Sequence, residues 1–197
     1  MLNFLRHSLM EEVRVLEGRP IPVELAPTSL RSTIEAGARF QKVRFASGRE
    51  ITIAGEDLEL PADGMRLTTV FMNLIGNALK YSDGEVLVNW RVHNGEVLAT
   101  VQDRGTNGRG ITQQQAGQLF VPFGRLETHA EIEGTGLGLL SAQRTVEGHH
   151  GTLFIEGYKD GSSNSERFTT ETSRHPSQLA EGFRTAFVVA CPLAAIS

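Results

Sequence analysis

The sequence predicts a soluble, mixed α/β domain, and three observations carry that prediction. A helical period runs from Arg66 to Tyr81, where Leu67, Val70, Phe71, Leu74, Ala78 and Tyr81 share one apolar face. Strand alternation follows in EVLVNWRVHNGEVLATVQD, with Val86, Val88, Trp90 and Val92 on one side, and Val97, Ala99 and Val101 on the partner strand. Asn94-Gly95 between them is a two-residue hairpin turn. Finally, 197 residues that are 40% hydrophobic suffice for one good core and not clearly for two.

The remaining elements follow in chain order. Leu2, Leu5, Leu9, Val13 and Leu16 are spaced by three and four, an amphipathic helix with a narrow seam that stops at EGRPIP. Such a seam belongs either to a bundle extending beyond the domain or to a helix folded back on it. TSLRSTIEAGARF reads as a helix capped by Thr28 or Ser29. KVRFA, EITIAG and LELPA read as short strands. A short helix covers Gln113 to Leu119, a second covers Leu137 to Val146, and TLFIEG and FRTAFVVACPL are the last strands. The polar stretch at about 157–181 has no apolar period and is expected to be a disordered insertion.

Composition narrows the function classes. A net charge of -4 gives no electrostatic reason for nucleic acid or an anionic membrane as partner. The single cysteine, Cys191, permits no internal disulfide and suits a reducing cytoplasm. No apolar run reaches the roughly 20 residues of a bilayer span, and Arg6, His7 and two glutamates interrupt the opening segment, so it is not a signal peptide. The histidines His149 and His150 are adjacent and lack ligand spacing for a metal.

Three constellations could carry chemistry. On the strong helix, Arg66, Thr69, Asn73, Asn77 and Lys80 share one stripe. Amide oxygens there can face a hard cation and the lysine can reach a phosphate; a solvated helix face is the alternative. Counting by twos from Val97 puts Asp103 on the core side, where a carboxylate needs a donor such as a purine amine, a backbone amide or an arginine. Gly105, Gly108 and Gly110 then permit close backbone approach to a flat ligand, although a turn aspartate at a strand end would look similar. In EGTGLGLL, Gly134, Gly136 and Gly138 precede a helix whose free amides suit phosphate. The G-x-G-x-G spacing, without a preceding strand or a G-K-[ST] ending, excludes both a dinucleotide fingerprint and a P-loop.

The order of these segments resembles the ATP-binding catalytic domain of sensor histidine kinases, in the GHKL ATPase superfamily. NLIGNALKYS resembles its N box, DRGTNGRGI its G1 box, LFVPFGRL its F box and GTGLGL its G2 box; VEGHHG after the G2 helix also fits. The resemblance covers about 20 to 193 and implies a two-layer α/β sandwich, a mixed sheet covered on one face by helices. It implies ATP and Mg²⁺ as cofactors. Asn73 and Asn77 would organise the phosphates and the metal, with Asn77 as Mg²⁺ ligand. Lys80 would contact phosphate and Tyr81 would line the pocket. Asp103 would accept the adenine amine, with Gly105, Gly108 and Gly110 around the base. Gly134, Thr135, Gly136, Leu137 and Gly138 would hold the phosphate end of a lid anchored by Phe120 and Phe123.

Hydrolysing members of the superfamily place a glutamate where Asn73 stands, so its absence implies phosphoryl transfer. Compared with D-x-G-x-G, three extra residues separate Gly105 from Gly110; they either relax the adenine contacts or bulge outward. No phosphoacceptor motif is evident, and His7 matches the end of a dimerisation helix better than an acceptor site. Residues 1–19 are therefore expected to be the tail of a dimerisation or linker helix, and 20–197 the catalytic domain. The implied function is transfer of the γ-phosphoryl group to a histidine on a dimerisation helix outside this chain. Partners would be that phosphoacceptor domain and a response regulator, in a cytoplasmic homodimer without nucleic acid or direct membrane contact. A regulatory nucleotide-binding module and a serine kinase of the anti-sigma-factor type are the alternatives.

Overall fold

The computed structural model describes residues 10–45, 48–122, 136–171 and 175–194. Residues 10–16 are helical (α1). Then come β1 (Ala26–Ser29), α2 (Leu30–Phe45), β2 (Ile51–Ala54), β3 (Glu59–Ala62), α3 (Gly64–Tyr81), β4 (Val86–His93) and β5 (Glu96–Asp103). After these follow α4 (Gln113–Ala116), α5 (Gly138–Gly148), β6 (Thr152–Tyr158), β7 (Arg167–Thr169) and β8 (Thr185–Pro192). Six strands form one sheet in the order β2-β4-β5-β8-β6-β7, while β1 and β3 pair separately. The β2–β4 pair is parallel and the other pairs of the large sheet are antiparallel, so the sheet is mixed.

The expected sandwich is what forms. Val86, Val88, Val97, Ala99, Val101, Ile155 and Phe187 point to one face of the sheet and pack under α2, α3 and α5 in a single apolar core. Helix α3 is its centre, with Leu67, Val70, Phe71, Leu74 and Ile75 at no more than 1% exposure. At roughly 1.5–3 kcal/mol per fully buried large side chain, this face ties α3 firmly to the sheet. Asp63 caps the helix, its Oδ1 accepting from Arg66 N at 3.1 Å. His149, at the end of α5, accepts from Asp63 N at 3.0 Å through Nε2 and hydrogen-bonds Thr145 O through Nδ1 at 2.8 Å. Burial holds its pKa below the usual histidine range, consistent with the neutral ring these two bonds require.

The hairpin turn at Asn94-Gly95 forms as predicted, both residues having positive φ (51° and 81°). The cap reading for α2 also holds at Ser29, whose hydroxyl accepts from Ser32 N at 3.2 Å. KVRFA, in contrast, is not a strand: α2 continues through Phe45. Ile34, Ala38 and Gln41 form a buried helical stripe that Phe45 extends onto the core, while Val43 is 84% exposed. The strand preference of Val43 and Phe45 is thus overridden by the helical period of the preceding residues. In α1, Val13 and Leu16 of the expected seam are each 44% exposed, and the helix packs instead through Val15 against Ile21 and Leu140. Leu2, Leu5, Leu9 and His7 lie outside the described residues.

The expectation of a disordered insertion at 157–181 is corrected. This segment contains β7 and, among its described residues, buried Phe168 and Leu179. Leu179, with Phe183, joins Leu98, Phe154, Tyr158 and Val188 in a second apolar cluster on the outer face of the sheet. Buried Glu156 accepts Ser177 Oγ, Gln178 N and Leu179 N at 2.8–3.1 Å, and Gln102 Oε1 accepts Ala180 N at 2.8 Å. Residues 178–180 are held by side chains of distant strands capturing their backbone amides, a source of order that needs no apolar period in the segment's own sequence.

Candidate functional site

The residues singled out from the sequence come from three elements that the fold brings to one end of the sheet. Helix α3 presents Asn73, Asn77, Lys80 and Tyr81, all half-buried, along one side. The amide Nδ2 of Asn73 donates to the carbonyl of Gly138 at 3.2 Å, so the helix stripe and the glycine-rich turn meet at the first residue of α5. With its nitrogen committed there, Asn73 has its oxygen as the atom able to ligate a hard cation. Gly136 has φ 73°, a conformation glycine adopts freely, and Leu137 is the residue before α5. Phe120 is half-buried and packs against the core. Phe123, Gly134 and Thr135 lie outside the described residues.

Asp103 ends β5 on the helix side, as the alternation predicted, and is 6% exposed. Its Oδ1 accepts from Gly105 N at 2.8 Å. Burial pushes its pKa up to about 7, against the opposing pull of the Gly105 amide and the positive Arg49. A buried carboxylate with so high a pKa at the end of a strand suits a ligand that brings its own N–H donors.

The three extra residues after Gly105 bulge outward. Thr106 and Arg109 exchange two backbone bonds of 2.9 and 3.1 Å, closing a small hairpin whose turn residues Asn107 and Gly108 have φ of 53° and 72°. Gly108 is therefore an exposed turn residue. The excursion leaves Gly105 beside Gly110: a Cβ on Gly105 would lie 1.9 Å from Arg109 O and 2.7 Å from Gly110 N. One on Gly110 would lie 2.6 Å from Thr185 Oγ1. Two glycines are thus packed backbone to backbone behind Asp103, as a loop approached closely by a flat ligand requires.

This loop is also stitched to the end of α3. Asp83 N donates to Gly105 O at 3.1 Å, Asn107 N to Asp83 Oδ2 at 3.0 Å, and Thr106 Oγ1 to Tyr81 O at 3.0 Å. Arg49, which nothing in SGRE marks out, completes the arrangement. Its guanidinium donates to the carbonyls of Ala78, Leu79, Ser82 and Gly84 and to Ser82 Oγ, at 2.6–3.2 Å. Four carbonyls at and beyond the negative end of α3 are satisfied by one fork-shaped cation. Asp83, Thr106, Arg49 and Thr185, the last accepting from Ile111 N at 3.1 Å, escape sequence reading because their partners are distant in the chain.

Among the described residues no group of three or more His, Cys, Asp or Glu is placed to hold a metal ion. A cation here would rely on neutral amide oxygens and on the oxygens of its own ligand, as a phosphate-bound Mg²⁺ does.

Comparison with known proteins accords with this geometry. A family profile described as histidine kinase-, DNA gyrase B- and HSP90-like ATPase matches residues 62–194. The chain is 35% identical over 138 residues to the phytochrome-like protein Cph1 of Synechocystis sp., covering 68% of this chain and 18% of that protein. It is 30% identical over 143 residues to the circadian input-output histidine kinase CikA of Synechococcus elongatus, covering 72% and 19%. The chain thus spans less than a fifth of the length of these relatives. Its fold is similar to the mycobacterial sensor histidine kinase MprB (TM-score 0.64, 21% identity, 86% of this chain and 97% of that one). It is also similar to full-length ShkA in complex with AMPPNP (TM-score 0.69, 23% identity, 96% and 35%). The chain belongs to the histidine kinase-, DNA gyrase B- and HSP90-like ATPase family.

Proposed function

We propose that this chain binds ATP and transfers its γ-phosphoryl group to a histidine on a dimerisation helix supplied by another segment of a two-component sensor kinase. The observation that carries the reading is Asp103, a buried carboxylate backed by two tightly packed glycines at the same end of the sheet as Asn73 and Gly138. In this reading Asp103 accepts the adenine amine, and Gly105 and Gly110 form the floor under the base. Tyr81 lines the pocket, Lys80 neutralises phosphate charge, and Asn73 and Asn77 orient the phosphate chain. The amides at the start of α5, from Gly136 to Gly138, lie against the phosphates, and Gly134 and Thr135, outside the described residues, are assigned to the same phosphate end by the resemblance. Mg²⁺, held through Asn77 and the phosphates, would supply charge neutralisation for the transferring group. Asn73 brings no carboxylate to activate water, which favours transfer over hydrolysis.

Residues 1–19 belong, in this reading, to the linker toward the dimerisation helices, and 20–197 to the catalytic unit. The functional form is a cytoplasmic homodimer that hands the phosphoryl group to a response regulator. No described helix is long and apolar enough to cross a membrane. The test joins the chain to a dimerisation segment and follows label from γ-labelled ATP. Acid-labile, base-stable label on histidine is expected. Tight ATP binding without label would indicate a regulatory module, and acid-stable label on serine an anti-sigma-factor-type kinase. Calorimetry on Asp103→Asn should show sharply weakened ATP binding; unchanged affinity would sink the adenine assignment.

A further inference from the structure

The segment joining β6 to β8 touches the loop after Asp103 at four places. Gly110 N donates to Gly161 O at 2.9 Å, and Gln113 N to Lys159 O at 3.1 Å, so the β6–β7 turn props the loop from one side. From the other side Arg184 Nε donates to Gly108 O at 3.0 Å. Arg104, the residue between Asp103 and Gly105, lies over the Phe183 ring at 4.6 Å and donates to Gly182 O at 3.3 Å. The same segment crosses the outer face of the sheet at 175–183, where Glu156 and Gln102 hold its amides and Leu179 is buried. The strap is therefore fastened at one end to the sheet face opposite the helices and at the other to the loop backing Asp103.

We propose that Arg104 and Arg184 are positioning residues that transmit docking of the 175–184 strap to the Asp103–Gly110 loop, so that strap docking and nucleotide binding favour one another. The inference rests on the reading that this loop binds the base of ATP. The physical reason is local. The hairpin at 106–109 is exposed and gains little from burial, so its position depends on hydrogen bonds to neighbours. Thr106 and Asn107 reach the end of α3, whereas Gly108 is held by Arg184 at the end of the strap, and Arg104, which begins the loop, is held by Gly182 and Phe183 of the strap. A ligand that needs the loop in one place must then bind better when the strap is docked, and by linkage its binding must favour docking.

The test follows amide exchange at Gln178, Leu179 and Ala180 in the wild-type chain, with and without saturating ATP and Mg²⁺. These amides lie on the face away from the helices, so direct shielding by nucleotide cannot protect them. Exchange slowed by about threefold or more is expected on binding. A Glu156→Gln variant, which weakens the strap anchor without touching the loop, should raise the ATP dissociation constant by about tenfold. If the wild-type chain binds ATP while exchange at 178–180 is unchanged, the coupling falls and the ATP reading stands. If the wild-type chain binds no ATP, both fall. The exchange measurement uses unaltered protein, so it decides the matter even where the variant folds poorly.

Discussion

The side-chain nitrogen of Asn73 donates to the main-chain carbonyl of Gly138 across 65 residues of sequence, at 3.2 Å. This bond sets the distance between the polar stripe of α3 and the first turn of α5, the two surfaces between which a phosphate chain would lie. Asn73→Ala removes it and should cost about 1 kcal/mol in urea denaturation. Asn73→Asp should cost more, because a carboxylate oxygen then faces the Gly138 carbonyl. Both variants should weaken ATP binding by about tenfold or more, read by calorimetry.

Burial of Asp103 sets a pH dependence of unusual sign for an aspartate. Its carboxyl titrates at about 7 in the folded chain and at the ordinary 3.8 when unfolded. Between these values the folded state holds the proton that the unfolded state has lost. This group therefore makes stability fall as pH rises from about 4 to about 7, by roughly 4 kcal/mol at most. Asp103→Asn should abolish that slope in denaturation curves measured across the window. An adenine amine favours the ionised form, so ATP affinity of the wild type should rise between about pH 6 and about pH 8.

Gly105 and Gly108 have nearly the same φ, 69° and 72°, and different surroundings. A Cβ at Gly108 meets nothing within 4 Å, whereas one at Gly105 runs into the Arg109 carbonyl. Gly108→Ala should cost only backbone strain, about 1 kcal/mol, with ATP binding retained. Gly105→Ala should cost at least about 2–3 kcal/mol and eliminate ATP binding, because the loop behind Asp103 must open.

Arg49 is the strongest single fastening at the C-terminal end of α3. Arg49→Lys keeps the charge but cannot reach four carbonyls from one planar group. A loss of about 2–3 kcal/mol is expected by thermal or urea unfolding. ATP affinity should fall as well, since Lys80 and Tyr81 sit in the last turn that Arg49 holds. Arg49→Ala, which also uncovers the carbonyls of Leu79 and Ser82, should be worse on both counts.

The readable parts of this protein were those whose partners are close in sequence. The period of α3, the alternation of β4 and β5, and the positive φ demanded by Asn94-Gly95 are local properties, and each formed where expected. The side on which Asp103 lies followed from the same alternation. KVRFA carries a local strand signal that the fold overrides, because its β-branched residue sits on the exposed side of a helix whose buried stripe runs through Gln41. The stretch at 157–181 carries no such local signal, because residues 178–180 are held by Glu156 and Gln102, side chains of strands distant from it in sequence.

By itself the sequence determined the fold class, the helix carrying Asn73, Asn77 and Lys80, and the inward carboxylate of Asp103, since hydrophobic period and turn chemistry act over a few residues. Tertiary structure alone decided that the residues inserted after Gly105 loop out and leave Gly105 against Gly110, and that Asn73 reaches Gly138. It also decided that Arg49 closes the end of α3 and that a polar strap covers the second face of the sheet. Apart from the small hairpin at 106–109, these are hydrogen bonds between residues tens of positions apart. Their donors and acceptors are ordinary polar groups until the packing of the chain brings them within hydrogen-bonding distance of one another.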